Sequence, residues 1–194
     1  MDEVCVNPPL TSEDLRDLVA RARRQSPDAW EQLYRHLRPK LVDYARRRLP
    51  SVTAAEDAVS EAFARAIAKI DDYRWEGIGF EGWMYGITRN VVLESHRAVQ
   101  RSHRLDDRQA AAQVPAEADP TGDQLEASEE RARVRRAFEL LDDEDRELLE
   151  LRVVGGLSAE QVGVVLDRTA GAVRMAQSRA LDRLRVAMKG VDHG

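Results

Sequence analysis

Between Leu157 and Arg185 the chain reads LSAEQVGVVLDRTAGAVRMAQSRALDRLR, and no other stretch constrains the fold as tightly. Ser158 with Gln161 three residues on is a capping box, in which each side chain satisfies an orphan amide of a first helical turn, so a helix starts near Ala159. Val162, Val165 and Leu166 give it an apolar stripe. Asp167 and Arg168 fill a turn, and Thr169 caps a second helix whose inward positions are Val173, Ala176, Ala180 and Leu184. The opposite face holds Arg174, Gln177, Ser178 and Arg179. From Asp167 to Lys189 there are six basic residues against two acidic, a local positive field in a chain of formal net charge −5. Two helices split by a tight turn, the second studded with arginines, are the layout of a helix-turn-helix that reaches base edges and phosphates. Any amphipathic hairpin carries surface arginines, so the rest of the chain has to decide.

At 194 residues and 43% hydrophobic content the chain has room for two small cores or one medium one. Aromatic residues make up only 5% and charged residues 34%, with Ala, Leu, Val, Arg and Glu dominant, which favours an all-α fold. No apolar run has the length of a membrane span, and the N-terminus, MDEVCVNPPL, is acidic where a signal peptide is basic and then apolar. A cytoplasmic protein without membrane insertion is expected. Cys5 has no partner for an internal disulfide and no companion ligand, so no role is assigned to it. His36, His96, His103 and His193 are scattered, and no metal spacing, nucleophile elbow or phosphate loop occurs. This pattern argues against an enzyme: no catalytic residue, metal ligand or cofactor is expected.

Composition divides the chain into parts. Residues 105–130 hold Asp106, Asp107, Glu117, Asp119, Asp123, Glu126, Glu129 and Glu130 against the single basic Arg108, with Pro115, Pro120 and Gly122 breaking any helix. This reads as an acidic flexible linker between helical domains at 11–104 and 131–190, with a disordered N-terminus at 1–10 and a tail at 191–194. In the first domain Ser26-Pro27 starts a helix, and Trp30, Leu33, Tyr34, Leu37, Leu41, Tyr44 and Ala45 follow before Leu49-Pro50 stops it. Thr53 and Glu56 predict a second capping box, followed inward by Val59, Ala62, Phe63, Ala66, Ile67 and Ile70. The outer face of that helix carries Glu56, Asp57, Ser60, Glu61 and Arg65. In the second domain Val134, Ala137, Phe138 and Leu141 form one helix, and Leu148, Leu149 and Leu151 the next.

The segment Asp71 to Arg101 is less ordinary. Tyr73, Trp75, Phe80, Trp83 and Tyr85 place five of the chain's ten aromatics in thirteen positions, among glycines that suit a loop. After Trp83 a helix turns Met84, Ile87 and Val91 inward and leaves Arg89, Asn90 and Arg97 available. Cations beside aromatics are what unpaired DNA needs: charge for phosphates, ring faces and pockets for unstacked bases. Phe80 and Tyr85 are expected in the core.

The order AEDAVSEAFARAIAKI, FEGWMYGITRNVVLESHR, a linker, and then LLDDEDRELLELRVVGGLSAEQVGVVLDRTAGAVRMAQSRALDRLR resembles a bacterial RNA polymerase sigma factor of the sigma-70 family, extracytoplasmic-function group, from about Asp28 to Met188. The resemblance implies a region 2 helical bundle and a region 4 helix-turn-helix. It implies that Asp57, Ser60, Glu61 and Arg65 contact core RNA polymerase, whose beta and beta-prime subunits would be partners. By the same resemblance Tyr73, Trp75, Trp83, Arg89, Asn90 and Arg97 would open and read the minus-ten promoter element. Thr169, Arg174, Gln177, Ser178, Arg179 and Arg183 would contact the minus-thirty-five element. The linker would thread toward the catalytic channel and RNA exit path, and an anti-sigma factor would hold the protein in check.

A different helix-turn-helix regulator would account for the C-terminal block, since response-regulator output domains share it. It leaves the first block unexplained, because that block lacks the acidic pocket and strand-helix alternation of a receiver. The net charge points the same way: a free DNA binder usually carries a basic excess, because neutralising phosphates supplies much of its affinity. A chain with a negative balance, delivered by polymerase, needs only local contacts.

Overall fold

The computed structural model describes residues 10–75, 77–105 and 125–191; Cys5 and the acidic stretch at 106–124 lie outside the described residues. Helices α1 (Ser12–Arg23), α2 (Pro27–Arg46), α3 (Val52–Lys69) and α4 (Gly79–Leu105) come before that stretch. After it come α5 (Leu125–Glu139), α6 (Asp143–Leu149), α7 (Ala159–Leu166) and α8 (Ala170–Val191). A π-helical turn, Glu150–Val154, continues α6. No strand occurs among the described residues, as an all-α composition dictates.

Helix α2 is the spine of the N-terminal domain. Leu33, Leu37, Leu41 and Ala45, spaced by four, are all at 0% exposure, and α1, α3 and α4 pack around them. Fully burying one leucine is worth about 1.5–3 kcal/mol. A surface pair such as Arg35–Glu31 contributes at most about 1 kcal/mol, so the stripe decides the packing. Burial on both sides also carries α2 through Pro39, whose missing amide would cost an isolated helix about 3 kcal/mol.

Several local expectations are corrected. Helix α1 is an additional element: Thr11 and Asp14 form a complete capping box at its start, and Leu15, Leu18, Val19 and Ala22 bury its inner face. Helix α3 begins at Val52 with Ser51 as its cap, not at Thr53, because the Ser51 hydroxyl accepts the Ala54 amide while Glu56 is engaged by Arg38 at 2.6 Å. Ile67, expected inward, is 43% exposed: a stripe of Val59, Ala62, Phe63 and Ala66 already fills the contact. Val134, expected inward with Ala137, Phe138 and Leu141, is likewise exposed, while Ala137 and Leu141 are buried as expected. Residues 125–130, read as linker, are the first turns of α5, where Leu-Glu-Ala-Ser-Glu-Glu has ordinary helix propensity and no breaker. Helix α4 starts at Gly79, before Trp83, so Phe80 and Trp83 share its first turns.

In the C-terminal domain the helix-turn-helix follows the sequence closely. Ser158 and Gln161 close the capping box of α7, Asp167 turns the chain with φ of 54°, and the Thr169 hydroxyl accepts the Ala172 amide at 3.2 Å. Val173 and Ala180 are fully buried and Ala176 nearly so. The turn is tight because α7 presents Gly163 to it: a Cβ there would stand 2.5 Å from the Arg168 carbonyl oxygen. The two domains also touch, with α4 packed on α7 and Leu157 in the same apolar cluster as Tyr85.

Gly163→Ala and Gly171→Ala therefore have opposite signs. At Gly171 nothing lies within 4 Å of a Cβ, so alanine is expected to stabilise by about 0.5–1 kcal/mol through helix propensity. At Gly163 the same change pushes the turn backbone aside and is expected to cost about 1–3 kcal/mol. Urea unfolding midpoints of the two variants measure the difference, and equal shifts would contradict the close approach.

Candidate polymerase and nucleic-acid interface

Three surfaces carry the residues singled out in the sequence. The first is the outer face of α3. Asp57, Ser60 and Glu61 are all exposed there, and the Ser60 hydroxyl donates back to the Glu56 carbonyl at 2.9 Å. Arg65 sits at the edge of this face. Its guanidinium grips Glu94 of α4 through two bonds of 3.0 and 2.8 Å and bonds Glu61 at 2.7 Å. These hydrogen bonds hold Arg65 further into its charged range and the Glu94 carboxyl below the usual one. Arg65 thus braces α3 against α4, while Asp57 and Ser60 stay open to a partner.

The second surface is the loop between α3 and α4 with the outer side of α4. Tyr73 does not present its ring to solvent as expected. It is 3% exposed, edge-on to Phe80 at 5.6 Å and tilted on Trp83 at 4.9 Å, and burial pushes its phenol above the ordinary range. The rings of Trp75, Phe80 and Trp83 surround it. Trp75 and Trp83 are half-buried, each with part of the indole accessible. The Arg16 guanidinium of α1 lies 5.1 Å from the Trp75 ring centre, a cation-π contact that only the folded arrangement brings together. Asn90 and Arg97 are exposed and line a groove with Arg65, Lys69 and Glu94. Arg89 is not open: its Nε donates to Glu147 of the C-terminal domain at 3.0 Å. Phe80 and Tyr85 are in the core, each 1% exposed.

The third surface is the outer side of α8. Arg174, Ser178 and Arg179 are exposed along it. Gln177 is held by Arg152 at 2.8 Å, Arg174 pairs with Glu160 of α7, and Arg183 pairs with Asp145 and lies 3.8 Å from Asp142. Arg183 therefore ties α8 to the start of α6, because Asp145 is buried there and needs a cation. Thr169 spends its hydroxyl on the helix cap.

Glu81 anchors the start of α4 beneath the aromatic loop, accepting from Lys40 and from His36, both at 3.1 Å. The His36 hydrogen bond, helped by Lys40 and opposed by burial, holds the Glu81 carboxyl below the usual carboxylate range. A carboxyl whose folded-state pKa is depressed stabilises the fold above the unfolded-state value, and that contribution fades as pH falls through the folded-state one. Glu81→Gln is therefore expected to be less stable than the parent near neutral pH. The gap should shrink on acidification below the ordinary carboxylate range. Paired urea titrations at several pH values read it out, and a gap that widened in acid would refute the anchoring role.

The chain matches two family models along its length: Sigma-70 region 2 over residues 33–102 and Sigma-70, region 4 over residues 137–186. It is 34% identical over 186 residues to the ECF RNA polymerase sigma factor SigD of Mycobacterium tuberculosis, covering 93% of this chain and 87% of the relative. It is 32% identical over 176 residues to ShbA, an ECF sigma factor of Streptomyces griseus, covering 87% and 92%. Among solved structures, CnrH in complex with the cytosolic domain of CnrY superposes with a TM-score of 0.64 at 23% identity, covering 90% of this chain and 97% of that one. RpoE from Bartonella quintana, solved with the anti-sigma factor NepR, gives the same score and identity over 82% of this chain and 96% of its own. Two regions in this order define a sigma-70-type transcription initiation factor, a promoter-reading subunit of RNA polymerase and not an enzyme. More narrowly, the chain belongs to the ECF family of RNA polymerase sigma factors. No helix among the described residues is long and apolar enough to cross a membrane.

Proposed function

We propose that this sigma factor docks on core RNA polymerase through Asp57, Ser60 and Glu61 of α3, opens and reads the minus-ten element with Trp75, Trp83, Asn90 and Arg97, and reads the minus-thirty-five element with the outer face of α8. The observation that carries the reading is the division of α8: Val173 and Ala180 are at 0% exposure while Arg174, Ser178 and Arg179 face outward. That geometry leaves a polar helix face free to enter a major groove. The domains are taken as 11–104 for region 2, with its C-terminal partner beginning at the first turn of α5. Trp83 sits in the first turns of α4, close to the loop, where its partly exposed indole can wedge against a base step, and Asn90 lies about two turns further along. Tyr73 supports that site from beneath. Arg89 joins it once its bond to Glu147 is released.

An anti-sigma factor is proposed as a partner. Both structural neighbours were solved with a polypeptide bound, NepR being named an anti-sigma factor, and their fold is shared. The net charge of −5 supports dependence on polymerase for promoter binding. Transcription by core enzyme on a library of promoters, with and without the chain, tests the whole reading. Selective initiation only with the chain present is expected, and none on any promoter would overturn it.

Asp57→Lys combined with Glu61→Lys is expected to weaken core binding while leaving thermal stability within about 1 kcal/mol, since exposed charges contribute little to folding. Pull-down and melting curves separate the two effects, and undiminished capture by core polymerase would move the interface elsewhere.

Arg174→Ala is expected to relax preference at one upstream base position by about 1–3 kcal/mol, the range of a bidentate arginine-guanine contact. Arg179→Ala should weaken all promoters alike and flatten the salt dependence. Promoter-library transcription with each variant distinguishes the roles; a uniform loss with Arg174→Ala would make it a phosphate contact instead.

A further inference from the structure

Helix α1 lies ahead of residues 33–102, the span that matches Sigma-70 region 2, and it packs its buried side on α2. Two arginines stand at the edge of that side. Arg16 follows the buried Leu15 and Arg23 follows the buried Ala22, and a separation of about two helical turns brings both to the same face. Both reach the loop that joins α3 to α4. The Arg23 guanidinium donates through Nε to the Ile70 carbonyl at 3.3 Å and through Nη2 to the Tyr73 carbonyl. Its centre lies 5.7 Å from the middle of the Tyr73 ring. Arg16, stacked over Trp75, lines a cleft together with Ser12, Trp75 and Phe80. Tyr73 passes this grip on: its ring stands edge-on to Trp75 at 6.1 Å and tilted on Trp83 at 4.9 Å, so a shift of Tyr73 moves both indoles.

We infer that α1 is the positioning brace of the minus-ten reading loop: Arg23 fixes the backbone at Ile70 and Tyr73, Arg16 fixes the face of Trp75, and together they set the base selectivity of the loop. The inference rests on the proposed reading of Trp75 and Trp83 as minus-ten contacts. Ile70 is the C-cap of α3, so its carbonyl belongs to a helix end, where acceptors are left over and a cation meets the negative pole of the helix. Arg74 also bonds the Asp71 and Tyr73 carbonyls, at 2.9 and 3.2 Å, but it belongs to the loop and moves with it. Arg16 and Arg23 tie the loop to a separate, packed helix. A planar guanidinium with fixed donors suits a bridge between two carbonyls, where an ammonium offers only a point charge. Folding does not require the pair, because Leu15, Leu18, Val19 and Ala22 already hold α1 and exposed charges contribute little to stability. What the two arginines add is order in the loop, since an indole already in place loses less freedom when a base stacks on it.

Arg16→Gln, Arg23→Gln and the corresponding lysine variants test the brace on the full-length chain with core polymerase. Melting curves and core pull-down are expected to match the parent. Loss of a charge-assisted hydrogen bond ordinarily costs about an order of magnitude in an equilibrium, so Arg23→Gln should slow promoter opening about tenfold. A cation-π contact at an exposed site is weaker, and Arg16→Gln should slow opening about threefold. In promoter-library transcription both glutamine variants should narrow the preference among minus-ten sequences and leave the ranking of minus-thirty-five sequences unchanged. Lysine should restore the parent behaviour at position 16, since an ammonium is also drawn to an indole face, and only part of it at position 23, where it cannot bridge two carbonyls. In the free chain, hydrogen exchange of amides 71–75 should quicken in Arg23→Gln while that of α2 stays as in the parent. If Arg23→Gln melts below the parent, Arg16→Gln carries the selectivity test alone. Unchanged minus-ten preference in both glutamine variants overturns the inference. So does a loss spread equally over both promoter elements, or an Arg16→Lys chain that behaves as Arg16→Gln. Trp75→Ala separates the two levels: if it too leaves the minus-ten preference intact, the proposed reading of the loop fails, and exchange at 71–75 decides alone whether α1 braces it.

Discussion

Everything in the N-terminal domain depends on the dry stripe of α2. Leu33, Leu37, Leu41 and Ala45 are wholly buried, and the three helices that surround them acquire their orientations from that contact. Because α3 spends its apolar side on α2, its acidic and hydroxyl side is necessarily the one left for a partner. Because α4 packs against both, the loop that feeds it is drawn across the top, and Tyr73 is pulled beneath Trp83. The last turn of the same helix and the turn that follows it carry Tyr44, Arg47 and Arg48, which bond Glu147 and Glu150 of the C-terminal domain.

Charge placement explains how a net acidic chain can be a DNA-reading one. Its arginines are distributed between two tasks. Arg65 and Arg183 hold helices together through carboxylates, whereas Arg97 and Arg179 lie on open faces. Arg89, on the outer side of α4, is likewise paired, with Glu147 of the C-terminal domain. Composition alone therefore overstates the charge offered to phosphate, since each internal ion pair removes one cation from the surface available to DNA.

Local structure is legible in the sequence wherever a side chain answers to its own backbone. The capping box of Ser158 and Gln161, the turn at Asp167, the cap at Thr169 and the seam of Val173, Ala176 and Ala180 all depend on neighbours within a few residues, and all occur as the sequence implies. The errors have a common form. Ile67 and Val134 have the right period for burial, but periodicity specifies a stripe and not how wide the facing surface is. The cap of α3 went to Ser51 because Arg38, eighteen residues from Glu56, had claimed that carboxylate.

What the sequence determined by itself was the all-α character, the helix-turn-helix and its polar face, the acidic face of α3 and the family, because each is written in residue spacing along single helices. What only the tertiary structure decided was which of those residues are free. Tyr73 was lost to the core, Arg183 to Asp145 and Arg89 to Glu147, and Arg16 was brought to Trp75 from a helix sixty residues earlier in the fold's N-terminal half. These outcomes depend on distances between segments far apart in the chain, and no periodicity within one helix can encode the position of another.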